Sequence, residues 1–151
     1  MQVVVVLHNI RSVYNVASVF RTADGAGVAK IYLVGVTPTP FDRFGNYRKD
    51  FSKVALGAEK TVKWEHFKNF GAVYKRLKSD GYEILAVEQD KRAIPYYSYK
   101  LNRDIRQGTR DKIETRLKAT RYMEEEKTAL VFGEETKGLP KSVLDKLKFM
   151  L

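Results

Sequence analysis

The segment QVVVVLHNIRSVYNVASVFRTADGAGVAKIYLVG, residues 2–35, reads as strand, helix, strand. Gln2 to Leu7 is apolar without alternation after its first residue, the pattern of a strand buried on both faces. The next apolar residues, Val16, Val19, Phe20 and Ala23, recur at i, i+3, i+4 and i+7 and make one face of a helix. Gly25 and Gly27 supply a stop signal, and Lys30 to Gly35 resumes the buried-strand pattern.

Outward from that unit the alternation continues. A loop rich in Pro, Asp, Arg and Gly, Thr37 to Tyr47, leads to a small helix at Phe51 to Leu56 and a strand at Thr61 to Trp64. His66 to Ser79 places Phe67, Phe70, Val73, Tyr74 and Leu77 on one helical face, ends at Asp80-Gly81 and feeds a strand at Glu83 to Val87. Thr128 to Phe132 is a further buried strand, and Pro140 introduces a short helix at Ser142 to Leu147. Such alternation predicts one α/β domain over residues 1–151, with a mostly parallel sheet and helices on both faces. Asn102 to Lys127 departs from it. Ile105, Ile113 and Leu117 form only a thin apolar stripe, so this stretch reads as a largely exposed helix, either a solvated excursion or a place for phosphate contacts from Arg103 to Arg121.

Composition narrows the function. With 151 residues, 44% apolar and 30% charged, the chain is long enough for a single core and too mixed for disorder. No stretch reaches membrane-spanning length, and Val3 to Leu7 has no basic region before it, so neither export nor a membrane is expected. The absence of cysteine excludes disulfides and thiolate chemistry and is compatible with the cytoplasm. His8 and His66, the only histidines, have no metal-ligand spacing, and no metal is expected. The 28 Lys and Arg against 18 Asp and Glu leave a net charge of +10, which favours a polyanionic partner such as RNA.

Parallel sheets bind ligands at the carboxyl ends of their strands, so the residues following each strand carry the functional reading. After the first strand, Asn15, Ala17 and Arg21 fall within His8 to Asp24. After Thr128 to Phe132 comes Gly133-Glu134-Glu135-Thr136-Lys137-Gly138-Leu139-Pro140. Together these resemble the first and second motifs of the SpoU, or TrmH-type, RNA methyltransferases of the SPOUT class. The first is an Asn followed two positions later by Gly, here Ala17, and six later by Arg. The second is Gly-x-Glu-x-x-Gly-aliphatic. Lys53 to Glu59 is similar to the family's Gly-Ala segment between them, and the resemblance runs from Met1 to about Leu147 apart from Asn102 to Lys127.

The resemblance implies methyl transfer from S-adenosylmethionine to a ribose 2′-hydroxyl of tRNA or rRNA, without a metal. It implies catalytic roles for Asn15, Arg21 and Glu135, and cofactor contacts from Glu88, Gln89, Gly133, Gly138 and Leu139. Arg11, Arg21, Arg43, Arg48 and Lys53 are the candidate RNA contacts. A guanidinium hardly ever loses its proton in a protein, so Arg21 is expected to hold a phosphate rather than act as a base. The residue-level alternatives are an exposed Arg21 paired with Asp24, an N-capping Asn15 and a loop-capping Glu135. In the family a third motif follows, which ties a trefoil knot and completes the homodimer. The chain ends at Lys148 to Leu151, so the expectation is a SPOUT-like fold without the knot-forming segment, a weakened homodimer and a weakened cofactor pocket. The alternative function is a non-enzymatic basic RNA-binding module.

Overall fold

The computed structural model describes residues 1–99, 126–147 and 149–150. The helix expected over Asn102 to Lys127 lies outside them except for its last two positions, of which Lys127 opens a strand. The described elements in chain order are β1 (Gln2–His8), α1 (Val13–Gly25), β2 (Lys30–Val34), α2 (Lys49–Ala55), α3 (Ala58–Thr61), β3 (Trp64–Phe67), α4 (Phe70–Ser79), β4 (Glu83–Val87), a single 3-10 turn at Tyr96–Ser98, β5 (Lys127–Phe132), α5 (Lys141–Leu144) and β6 (Phe149–Met150).

The strands form one six-stranded sheet in the order β3-β2-β1-β5-β4-β6. Every pairing is parallel. Because successive side chains of a strand point to opposite faces, the apolar run of β1 divides into two cores. Val4 and Val6 pack with Tyr32, Val34, Ala129 and Val131 under Phe70, Val73 and Leu77 of α4, and α5 joins them through Val143 and Leu144. Val5 and Leu7 pack with Ile31 and Leu33 under Val16, Ala17, Phe20 and Ala23 of α1 and under Phe51, Ala55 and Ala58. The Phe20 and Phe51 rings meet edge to face at 5.2 Å. Burying each stabilises the packing of α1 and α2 by about 1.5–3 kcal/mol.

Three expected boundaries move by three residues or more. The strand placed at Thr61 to Trp64 is found at Trp64–Phe67, because Thr61 closes α3. The helix placed from His66 begins at Phe70. His66 and Phe67 pair with Leu33 and Val34 instead, and the Asn69 side chain caps α4 by accepting the Ala72 N–H at 3.1 Å. The last helix is Lys141–Leu144 rather than Ser142 to Leu147. No strand was expected beyond it, yet Phe149–Met150 pairs with Leu85 and Ala86 of β4.

Candidate functional site

In the sheet β1 and β5 lie side by side with Leu7 opposite Phe132. Their outgoing chains part, since β1 feeds α1 on one face and β5 feeds α5 on the other. A crevice at such a topological switch point is where parallel α/β sheets bind ligands.

The β1 side is shaped by Asn9, which adopts a left-handed φ of 57°. Its side-chain oxygen accepts the Val36 N–H at 3.2 Å and occupies the space a side chain on Gly35 would need, tying the ends of β1 and β2 together. The chain then turns, and Ser12 caps α1 by accepting the Asn15 N–H at 3.2 Å. Asn15 is therefore in the first turn and is not the cap.

Glu135 bridges to this turn across the crevice. It accepts hydrogen bonds from the Asn15 side-chain amide at 2.9 Å and from the backbone N–H groups of Ser12 at 3.3 Å and Arg11 at 3.4 Å. A carboxylate at a helix start also suits the helix dipole. Burial pushes the Glu135 carboxyl up, but hydrogen bonds from its own backbone, Asn15, Arg11 and Ser12 outweigh that and hold it below its ordinary value of 4.5. A group depressed in this way stabilises the fold above the ordinary carboxylate range and loses that contribution as pH falls through the lowered value. Glu135→Gln is thus expected to be less stable than the natural chain at pH 7 and to lose less on acidification. Thermal unfolding across pH checks this, and parallel pH profiles would contradict it.

The loop following β5 closes on itself through the Gly138 N–H donating to the Glu134 carbonyl at 2.9 Å. Gly133 fits only because it has no side chain, since a Cβ there would run into the backbone of Gly138 and Leu139. Glu88, just beyond β4, lies against Gly138 and accepts the Leu139 N–H at 2.7 Å and the Gln89 N–H at 3.0 Å. A polar cleft of about 580 Å³ opens between Val87–Gln89 and Glu134–Gly138. Its lining carries Glu88, Glu134 and Glu135 against the single ammonium of Lys137, so it favours a cationic ligand. Glu134 is steadied by the Thr136 hydroxyl at 3.1 Å and the Arg11 guanidinium at 3.6 Å. His8, at the end of β1, is buried edge-on against Phe70 at 5.9 Å, and its Nδ1 has no partner among the described residues. Burial lowers its pKa, opposed by the nearness of its own backbone carbonyl and by the Glu134 charge.

Of the residues singled out from sequence, Asn15, Glu135, Glu88, Gln89, Gly133, Gly138 and Leu139 thus meet around the crevice and cleft. Arg21 is exposed, about 9 Å further along α1 and on a different face. No hydrogen bond joins it to Asn15, and Asp24 accepts from the Thr61 hydroxyl at 2.8 Å rather than pairing with it. Arg48 is engaged bidentately by Asp50 at 3.1 and 2.8 Å, whereas Lys53 is exposed on α2 and Arg43 sits on a loop tip. Asn9, Ser12 and Glu134 were missed by sequence reasoning. Ser12 was legible as a cap three residues before Asn15; the other two became significant only through the folded turn.

Parallel strands with a glycine loop at a switch point define an α/β domain with a candidate ligand site at the carboxyl edge of the sheet. The chain belongs to the SpoU rRNA Methylase family, which matches residues 2–151. No curated protein sequence matches it. Among solved structures it is similar to the AdoMet-bound rRNA methyltransferase from Sinorhizobium meliloti, with 18% identity, a TM-score of 0.73 and coverage of 99% of this chain and 46% of that one. It is also similar to the A. aeolicus TrmH/SpoU tRNA modifying enzyme, with 17% identity, a TM-score of 0.69 and coverage of 99% and 61%. A third structure, described as giving insight into 2-OH methylation of C/U34 on tRNA, has 20% identity, a TM-score of 0.69 and coverage of 99% and 78%. The chain therefore spans about half the length of the first of these.

Proposed function

We propose that this chain methylates RNA at a ribose 2′-hydroxyl, with S-adenosylmethionine as methyl donor. The observation that carries the reading is the join between the two motifs, in which Glu135 holds the start of α1 through Asn15, Ser12 and Arg11 beside an acidic, glycine-lined cleft. Family membership supports the reaction class, and the AdoMet-bound relative supports the donor. The similar structures described as acting on rRNA and tRNA support either RNA as substrate.

The cleft suits the cofactor chemically. S-adenosylmethionine is cationic at its sulfur and its amine, and Glu88, Glu134 and Glu135 gather negative charge there, while Gly133 and Gly138 let the loop close on itself and against Glu88 to shape that wall. When bound, the cofactor supplies an activated methyl group on a sulfonium leaving group. Glu88, Gln89, Gly133, Gly138 and Leu139 would hold it. Asn15 and Glu135 keep the two motif loops in fixed relation, which is the positioning a displacement reaction requires. Arg21, which makes no hydrogen bond or ion pair with the described residues, binds a phosphate of the strand and orients the target ribose. Arg11, Arg43 and Lys53 add phosphate contacts, with Arg48 weakened by Asp50.

Labelled methyl transfer from S-adenosylmethionine to a mixed RNA pool tests the reading. Label recovered in RNA is expected. RNA binding without cofactor binding or transfer would favour the non-enzymatic RNA-binding module instead.

A further inference from the structure

Between β2 and α2 the chain makes a small hairpin whose tip the cofactor site does not use. Phe41 and Tyr47 pair as an antiparallel bridge with rings 4.6 Å apart, and Phe41 also packs on Trp64 at 5.7 Å. The tip is built around Asp42. Its carboxylate accepts the N–H groups of Phe44 at 2.8 Å and Asn46 at 3.0 Å, and its backbone N–H donates to the Asn46 carbonyl at 2.9 Å. Gly45 supplies the left-handed φ of 82° that the turn needs.

This braced turn displays Phe44, which is 72% exposed although it is a large apolar side chain. The Arg43 guanidinium lies over the ring, 4.7 Å from its centroid, and most of the residue's surface remains open to solvent. Beside it Tyr47 is 43% exposed with the Lys60 ammonium 5.6 Å from its ring. An exposed aromatic face on a rigid turn, flanked by cations, offers stacking and phosphate attraction at little ordering cost. Hydrophobic burial within the chain does not account for it.

We propose that the Arg43–Phe44 tip is a stacking platform for an unpaired base, so that the RNA taken by this chain presents a single-stranded or looped segment. The inference deepens the methyltransferase reading and rests on it for the choice of RNA as partner. Bases in a duplex are stacked on their own neighbours and have no free face to offer, whereas splayed bases in loops and ends do. Arg43 then contributes twice, as the cation on the far side of the ring and as a contact to the phosphate next to the stacked base.

Fluorescence anisotropy on the whole chain tests this with a labelled, unstructured single-stranded RNA and a blunt RNA duplex of matching length. Phe44→Ala is expected to weaken single-strand binding by at least about fivefold while leaving duplex binding unchanged, as loss of one base–aromatic stack implies. Phe44→Trp should keep the affinity, and Phe44→Leu, apolar without a π face, should lose it. Unchanged single-strand binding by Phe44→Ala, an equal loss on the duplex, or full affinity in Phe44→Leu would each overturn the platform, the last pointing to a plain apolar contact such as a protein partner. Calorimetry with S-adenosylmethionine on the natural chain reads the enzymatic assignment separately. No cofactor binding alongside Phe44-dependent RNA binding would remove that assignment and leave the platform standing.

Discussion

Arg21→Ala is expected to lower methyl transfer by about 10²- to 10³-fold, the size of effect seen when one preorganised charge-stabilising donor is removed, while leaving S-adenosylmethionine affinity unchanged. The separation follows from the fold. Arg21 stands on α1 away from the cleft lined by Val87–Gln89 and Glu134–Gly138, so its loss removes no wall of the proposed cofactor site. It is exposed and supports neither core, so the variant should fold. Arg21→Lys retains the charge but not the planar fork that grips a phosphate in two places, and should recover only part of the rate. Single-turnover kinetics with calorimetry distinguish the outcomes, and a cofactor affinity that falls in step with the rate would place Arg21 in the wrong role.

The second large effect is expected at Gly133. An alanine there meets the backbone of Gly138 and Leu139, which no side-chain rotation can relieve, so the loop itself must shift. Overpacking of this kind costs about 1–3 kcal/mol. The shift would part Glu135 from Asn15 and Leu139 from Glu88, and with them the hydrogen bonds that shape the cleft. Gly133→Ala should therefore lose more than about tenfold in cofactor affinity, since each lost hydrogen bond is worth about 0.5–1.5 kcal/mol. Glu88→Ala provides the contrast, because it deletes one acceptor without moving the backbone and should cost less. Equal effects of the two substitutions would show that the loop backbone is not what forms the site.

The sheet was legible because its central strands are buried on both faces, and Val3 to Leu7 or Ile84 to Ala86 have no other economical reading. The edge was not. β3 is short and shows Glu65 and His66 to solvent, so its Phe67 joined the helical periodicity of Phe70, Val73 and Leu77. Asn69 carried the signal that would have separated them, an N-cap three residues before Ala72. At the site, the motif residues could be named from spacing, but Glu135 meeting Asn15 depends on β5 being inserted between β1 and β4, a topology that local pattern does not encode. Asn9 was invisible for a similar reason. Its left-handed turn matters only through Gly35 and Val36 just past the neighbouring strand.

The central claim is transfer to ribose, and nucleoside mass spectrometry tests it most directly. RNA incubated with the chain and isotopically labelled S-adenosylmethionine, then digested to nucleosides, should yield labelled 2′-O-methyl nucleosides, with the signal lost in Arg21→Ala. Label found on bases alone, or none in RNA when cofactor and RNA both bind, would contradict the account.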